Sequence, residues 1–249
     1  MQNDILNLQY QWESTHLGRN MDLRVYGKEG KPILVFPTRG GRFFDYENFG
    51  MVDACRSFIE SGKVRLYTVD SIDHESWLND ALHPSERARR HEDYDAYIIK
   101  EVLPFIYKDC GYRTKIITTG CDMGAYHASN FFFRHPEFFD AMISLSGFFH
   151  LQMFIGDYMD ENVYYNSPLH YLPNLNDPKI LQLYRKSDIC ICVGQGQWEE
   201  PMMAHAYAIK QVLKDKDIPC WVDFWGKDVS HDWVWWRQQL PYFLNQLNL

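Results

Sequence analysis

A glycine-flanked turn between a strand-like and a helix-like segment is the part of this sequence best suited to chemistry. The apolar run 115–119 leads into Gly120-Cys121-Asp122-Met123-Gly124, and a helical pattern follows. Glycines on both sides of a central residue permit a strained, closely packed turn, which is the layout of a nucleophile elbow. The central residue is Asp122, where such a turn usually carries serine. The turn therefore predicts a nucleophilic site with a carboxylate at its centre.

Two later segments supply an acid and a base in the chain order that such a site requires: nucleophile, acid, histidine. The apolar run 188–193 is followed by a loop that carries Glu199 and Glu200. Glu199 is the first choice for the acid and Glu200 the second, because spacing along a loop does not determine which side chain turns inward. His231 follows the last apolar run and precedes a helical pattern, so we expect it to be the general base.

Adjacent glycines follow the third strand-like run and suggest an oxyanion site. Gly40 and Gly41 would let backbone N–H groups approach a developing negative charge, and Met123, directly after the elbow, would supply a second N–H group. An ordinary glycine turn is the alternative. Trp198, next to the candidate acid, is expected to line the substrate pocket.

The elements that must position these residues alternate along the chain. Apolar, β-branched runs separated by turn residues predict eight strands, at 6–13, 23–26, 32–36, 65–69, 115–119, 141–145, 188–193 and 220–225. Amphipathic segments predict helices, at 46–61, 85–107, 123–135, 201–214 and 232–247. The first two strands are expected to be antiparallel, and Pro104 should kink or shorten the second helix. Strand and helix alternation after residue 31 predicts an α/β protein with a mostly parallel sheet and helices on both faces.

The chain is expected to form one domain, 1–249, because it shows no repeat, linker or long charge block. One proline- and tyrosine-rich segment, 148–186, interrupts the rhythm and is interpreted as a cap-like insertion over the sheet. This segment could close over the site or form a contact between copies of the chain, so the sequence leaves open whether the protein is a homo-oligomer.

The composition of the chain limits the kinds of partner that it is expected to bind. There are 25 Lys and Arg against 33 Asp and Glu, a net charge of −8, which disfavours nucleic acid. The sequence starts without a basic and apolar leader, and no apolar run is long enough for a membrane span. We therefore expect a cytoplasmic protein that acts on a small molecule, with six scattered cysteines as reduced thiols.

These motifs together resemble the α/β-hydrolase superfamily, and specifically esterases of the esterase D type, which also include feruloyl esterases and mycolyltransferases. The resemblance spans nearly the whole chain, through the loop from Phe36 to Phe44, the elbow, the Arg134-His135-Pro136 helix end and the tail around His231. It implies an α/β-hydrolase fold and hydrolysis of carboxylic esters without a cofactor. In that family a serine is acylated, a histidine moves the proton and an acid holds the histidine, roles that fall at positions 122, 231 and 199 or 200.

Asp122 leaves four hypotheses open. It could be a nucleophile, as in relatives of this fold that act on haloalkanes or epoxides, although those commonly place a Trp after the nucleophile where this chain has Met123. Attack on a carboxylic ester would form a high-energy mixed anhydride, so efficient turnover is not expected. The chain could instead be a non-catalytic binding protein on a hydrolase scaffold. It could also be an inactivated or engineered variant of a serine esterase, or Asp122 could act as a general base towards water.

Other polar residues have simpler interpretations. Asp70, Asp73, His74 and Glu75 follow the fourth predicted strand, where they suit a substrate rim better than a metal site, since their spacing is wrong for a compact zinc motif. His127, five positions after Asp122, is expected to be structural. No metal is predicted.

Overall fold

The computed structural model describes residues 5–247 and 249, and all eight predicted strands are present in one sheet. The order across the sheet is β1-β2-β4-β3-β5-β6-β7-β8. The strands are β1 Asn7–Ser14, β2 Arg19–Tyr26, β3 Lys31–Phe36, β4 Val64–Val69, β5 Ile116–Cys121, β6 Phe139–Leu145, β7 Asp188–Val193 and β8 Trp221–Phe224.

The strand directions bring the predicted loops to one edge of the sheet. β1 and β2 pair antiparallel, as expected, and β2 is also antiparallel to β4. Every other neighbouring pair is parallel. Because parallel strands end on the same edge, the loops that follow β3, β5, β7 and β8 lie near one another. This mostly parallel arrangement confirms the predicted α/β architecture.

Helices connect these strands and cover both faces of the sheet. They are α1 Asp45–Asn48, α2 Met51–Ala54, α3 Arg56–Glu60, α4 Pro84–Tyr97, α5 Leu103–Cys110, α6 Met123–Arg134, α7 Gln152–Ile155, α8 Glu161–Tyr165, α9 Pro168–Tyr171, α10 Pro178–Arg185, α11 Glu200–Asp215 and α12 Trp233–Leu244. Short 3₁₀ turns cover Asp73–Glu75 and Leu172–Asn174, and a π-helical turn covers Ile98–Val102.

Two helix predictions differ from the structure for local reasons. The single helix predicted at 46–61 is three short helices. Gly50 adopts a left-handed conformation (φ 78°) between the first two, and Cys55 (φ −94°, ψ 6°) separates the second from the third. The helix predicted at 85–107 does not end at Pro104. It passes through the π-helical turn Ile98–Val102, and Pro104 then lies in the first turn of α5, where its missing N–H group costs nothing.

The hydrophobic core lies on both sides of the sheet, and alternate residues of each central strand supply it. In β3, Leu34 and Phe36 pack on the face that α6 covers, whereas Ile33 and Val35 pack on the face that α12 covers. β5 is buried along its whole length. The strand that carries the elbow is therefore fixed by packing on both faces, which gives its last residue a defined position.

The proline- and tyrosine-rich segment 148–186 contributes α7 to α10 and a 3₁₀ turn. A third apolar cluster joins it to the elbow helix, in which Phe148, Leu151 and Val163 pack with Met123 and Tyr126. The segment therefore rests on the start of α6, close to the predicted site. The six cysteines are all unpaired, and Cys55, Cys121, Cys190 and Cys192 are buried.

Candidate active site

Asp122 occupies a strained turn between β5 and α6. Its backbone dihedrals are φ 54° and ψ −119°, a region that non-glycine residues seldom adopt. The flanking glycines make this turn sterically feasible. A Cβ atom on Gly120 would lie 2.3 Å from the Gly124 carbonyl carbon, and one on Gly124 would lie 2.4 Å from the Phe36 carbonyl oxygen. The turn therefore has the close packing expected of an elbow.

His231 and Glu199 lie beside Asp122 in a continuous line. His231 Nε2 is 3.5 Å from Asp122 Oδ1, and His231 Nδ1 is 3.3 Å from Glu199 Oε2. Glu199 is fully buried, whereas Glu200 is exposed at the first position of α11. Sequence spacing left both glutamates as candidates for the acid. Burial distinguishes them, and Glu199 is the one that contacts His231.

A serine and a tryptophan hold the Glu199 carboxylate from behind. Ser146, at the end of β6, donates a 2.6 Å hydrogen bond from its hydroxyl to Glu199 Oε1 and accepts one from Trp236 Nε1 at 3.0 Å. Ser146 adopts a positive φ of 53°, and the Gly194 N–H group also donates to Glu199 Oε1. Sequence reasoning missed both Ser146 and Trp236, because no local pattern links β6 to α12.

The backbone N–H group that faces Asp122 from the loop after β3 belongs to Arg39, which differs from the sequence prediction. Arg39 N donates to Asp122 Oδ2 at 3.3 Å, and the N–H group of Met123 helps to lower the pKa of the same carboxyl group. The predicted donors are engaged elsewhere, since Gly40 N donates to Asp73 Oδ2 and Gly41 N closes a turn on the Thr38 carbonyl. Gly40 and Gly41 thus shape the loop, and the residue before them points its N–H group at the carboxylate.

Arg39 also places a positive charge at the site. Its guanidinium donates to Asp122 Oδ1 at 3.1 Å and lies 5.2 Å from the centroid of the Phe154 ring in α7. Arg39 and His231 therefore both approach the same oxygen of Asp122, Oδ1. Trp198 has a positive φ of 69° and is 73% exposed. It lies on the surface next to Glu199 in the chain, and the expectation that it lines the substrate pocket stays a prediction.

Neighbouring opposite charges set the protonation states of Asp122 and His231. Burial alone would raise the pKa of Asp122, but the hydrogen bond with His231 and the charge of Arg39 outweigh it and lower that pKa. Burial alone would lower the pKa of His231, yet its contacts with Asp122 and Glu199 raise it to about 9. At neutral pH the site is therefore an imidazolium between two carboxylates, with a guanidinium beside it.

This charge arrangement predicts a pH-dependent stability. The pKa of His231 is about 9 in the folded chain against an ordinary 6.5, so its contribution is complete below about pH 6.5 and is lost as pH rises towards 9. We expect the loss to reach at most about 3 kcal/mol in the free energy of unfolding. Urea unfolding between pH 6 and 10, of wild type and of His231→Gln, measures it. The difference between the two curves should shrink across this window, and parallel curves would contradict the assignment.

The described residues, 5–247 and 249, bear on the predictions about metal and membrane. Within them, no three or more His, Cys, Asp or Glu side chains are grouped so as to hold a metal ion. In the same residues no helix has the length and apolar character needed to cross a bilayer. The predicted absence of a metal and the predicted cytoplasmic location stay predictions.

Comparison with known structures identifies the class of fold. A ferulic acid esterase superposes with a TM-score of 0.75 at 17% identity, covering 96% of each chain. The S-formylglutathione hydrolase FrmB from Staphylococcus aureus gives 0.72 at 16% identity, covering 98% of this chain and 96% of that one. An S-formylglutathione hydrolase from Agrobacterium tumefaciens gives 0.76 at 12% identity, covering 97% and 94%. The fold is that of the α/β-hydrolases, as the sequence predicted.

The family follows from the sequence itself. The model of the family described as "Putative esterase" matches residues 14–247, nearly the whole chain. The chain belongs to this esterase family, whose members are hydrolases of carboxylic esters. No curated protein matches the chain.

Proposed function

We propose that this chain is an ester hydrolase in which Asp122 is the elbow nucleophile, His231 transfers protons and Glu199 orients His231. The observation that carries this proposal is the Asp122 carboxylate itself, held on a strained turn with Oδ1 3.5 Å from His231 Nε2 and Oδ2 on the Arg39 N–H group. The substrate is a small-molecule ester, and the side chains and water suffice for the reaction.

In the first step Asp122 Oδ1 attacks the acyl carbon, and the bond from that carbon to the leaving oxygen breaks. A carboxylate leaves more readily than an alkoxide, so the intermediate returns to the ester unless the leaving oxygen is protonated. His231 is placed to supply that proton, because its pKa of about 9 keeps it cationic at neutral pH. The products of this step are an alcohol, neutral His231 and an anhydride between the acyl group and Asp122.

In the second step water attacks Cγ of Asp122 and gives its proton to His231. Acylation removes one of the two carboxylates that raise the pKa of His231, so the imidazole becomes a base when it must accept a proton. The Arg39 N–H group bonds Oδ2, which is the oxygen that gains charge during this attack. The acyl group departs as a carboxylate, and Asp122 releases its remaining proton to solvent.

Isotope labelling tests this mechanism. We expect turnover of dinitrophenyl acetate in water enriched in oxygen-18 to place the label in the Asp122 side chain, because water attacks Cγ. Mass spectrometry of the peptide that contains residue 122 measures the label. This ester suits the test because its phenolate is a weak base and leaves without complete protonation.

Two variants and one control define the outcomes. His231→Ala should lose the label, Asp122→Asn should lose turnover, and the wild-type chain without substrate should stay unlabelled. Turnover with oxygen-18 only in the acetate would overturn attack of water at Cγ of Asp122, and with it the mechanism as proposed, in favour of attack by water at the acyl carbon. A chain that turns over nothing would favour the non-catalytic binding hypothesis.

One observation favours a second candidate, displacement at a saturated carbon. The Arg39 N–H group that would stabilise the oxyanion of an attacked ester already bonds Oδ2 of Asp122. Displacement from a haloalkane or epoxide forms no acyl oxyanion in its first step. In the second step water attacks Cγ of the ester on Asp122, and the Arg39 N–H group already bonds Oδ2, the oxygen that gains charge. The same labelling experiment with these substrates distinguishes the candidates, because only the substrates that alkylate or acylate Asp122 leave oxygen-18 there.

A further inference from the structure

A buried carboxylate lies behind the loop that faces Asp122. Asp73 begins the 3₁₀ turn after β4 and is 1% exposed. Each of its carboxylate oxygens has one partner from a different part of the site. Oδ2 accepts the Gly40 N–H group at 3.0 Å, and Oδ1 is 2.9 Å from His127 Nε2 in α6. Asp73 therefore bridges the loop after β3 and the helix that begins at the elbow.

The histidine is the donor in this pair. His127 is 1% exposed, and its Nδ1 atom has no hydrogen-bond partner among the described residues. A proton on Nδ1 would be a buried donor without an acceptor, at a cost of about 1–3 kcal/mol. The neutral tautomer with its proton on Nε2 avoids that cost and donates to Asp73. The His91 ring stacks on His127 with centroids 5.4 Å apart, and burial lowers the pKa of His91, so His91 places no positive charge beside the Asp73 and His127 pair.

Two successive N–H groups of the same loop thus bond two different carboxylates. Arg39 N donates to Asp122, and Gly40 N donates to Asp73. Gly40 has a positive φ of 62°, and a Cβ atom there would lie 2.5 Å from His74 Nε2, so the loop lies directly against the turn that carries Asp73. Because the two N–H groups belong to neighbouring peptide units, fixing the second limits rotation of the first.

We propose that Asp73 and His127 are positioning residues that hold the Arg39 N–H group at the reacting carboxylate. This role rests on the proposed function, since it matters to catalysis only if charge develops at Asp122 or at a bound oxyanion. The loop 70–75, which the sequence suggested as a substrate rim, would then act through the backbone of the neighbouring loop. His127 would be more than a packing residue of α6.

Asp73→Asn is the informative substitution. Asparagine keeps the shape, but its single oxygen cannot accept from both Gly40 and His127. Either the Gly40 bond is lost, or the amide NH2 group donates to His127 Nε2 and forces the histidine proton onto the unpartnered Nδ1. We expect kcat for dinitrophenyl acetate to fall about 10- to 100-fold, since loss of one oxyanion donor costs about 100- to 1,000-fold and a displaced donor less. KM should change less than about 3-fold, because the N–H group acts on developing charge. Hydrogen exchange of the Gly40 amide, followed by NMR, should accelerate.

The chain offers a matched control in a second carboxylate and histidine pair. Asp95 Oδ2 is 2.7 Å from His135 Nε2 near the far end of α6, and neither residue touches the loop. Asp95→Asn should lower Tm and leave kcat unchanged. His127→Gln, which keeps a donor for Asp73, should retain kcat within about 3-fold, whereas His127→Leu should reproduce the loss seen in Asp73→Asn.

The possible results separate the two proposals. A folded Asp73→Asn chain with unchanged kcat, beside an active wild type, overturns the positioning role and leaves the proposed function standing. Equal losses of kcat in Asp73→Asn and Asp95→Asn also overturn it, because the effect is then one of stability. If neither wild type nor Asp122→Ser hydrolyses the ester, the proposed function fails, and the positioning role fails with it. A drop in kcat confined to Asp73→Asn and His127→Leu, with faster exchange at Gly40, supports it.

Discussion

Replacing Asp122 with serine is expected to raise kcat/KM for a short-chain aryl ester by about 100-fold or more. The serine hydroxyl is shorter than the carboxylate and leaves the Arg39 and Met123 N–H groups unoccupied. These groups are then available to the substrate oxyanion, and one such donor is worth about 100- to 1,000-fold in kcat. Removal of the Asp122 charge also lowers the pKa of His231, so the imidazole can take the serine proton near neutral pH.

Steady-state hydrolysis by wild type and three variants measures this effect. Asp122→Ser with His231→Ala should lose the gain, which shows that serine works through the histidine. Asp122→Asn keeps the size of the side chain without its charge or nucleophilicity, and should be inactive. Activity in wild type that disappears in Asp122→Ser would contradict the expectation and identify the carboxylate as the working group, with haloalkanes and epoxides as the next substrates. If neither wild type nor Asp122→Ser hydrolyses the ester, the result would support the non-catalytic binding hypothesis.

Gly124→Ala is expected to destabilise the fold by about 3 kcal/mol or more. The added Cβ would lie 2.4 Å from the Phe36 carbonyl oxygen and 2.5 Å from that of Pro37. These are backbone atoms at the end of β3, so no side-chain rotation relieves the contact, and overpacking of this kind costs about 1–3 kcal/mol or more. Helix propensity works in the opposite direction, because alanine favours a helix over glycine by about 1 kcal/mol. The sign of the change in the free energy of unfolding therefore shows whether overpacking or helix propensity is the larger effect.

Urea unfolding at one pH compares this variant with wild type and with Gly111→Ala. Gly111 has nothing within 4 Å of its added Cβ but has a φ of +79°, so the control measures backbone strain without a collision. We expect it to cost about 1–2 kcal/mol. A Gly124→Ala chain as stable as wild type would mean that β3 and α6 can separate, and that the elbow is less rigid than its contacts imply.

The central charges explain why the carboxylate is tolerated at the elbow. An isolated carboxylate at this depth would be costly to bury. Asp122 is only 8% exposed, yet Arg39, His231 and two backbone N–H groups surround it. A serine hydroxyl would need none of these charges. The pairing with Arg39 is therefore a property of this chain that bears directly on whether Asp122 reacts or only binds.

The architecture and the chain order of the site residues could be predicted from the amino-acid sequence. Apolar, β-branched runs separated by turn residues predicted all eight strands, because apolar runs and alternation are local properties of the sequence. The glycines around Asp122 predicted the elbow turn, since only glycine accommodates such close backbone contacts. Helix ends were less predictable, as the interruption at Gly50 and the π-helical turn before Pro104 show.

Which side chains meet at the site depends on the three-dimensional packing of the chain. Glu199 and Glu200 are neighbours in sequence, and burial against Ser146 and the last helix selects the first. Gly40 and Gly41 mark the loop after β3, but it is Arg39 whose N–H group reaches Asp122, because Asp73 takes that of Gly40. These choices depend on contacts between residues far apart in the chain. Local pattern carries no information about them, because they arise from how the parallel strands bring separate loops to one edge of the sheet.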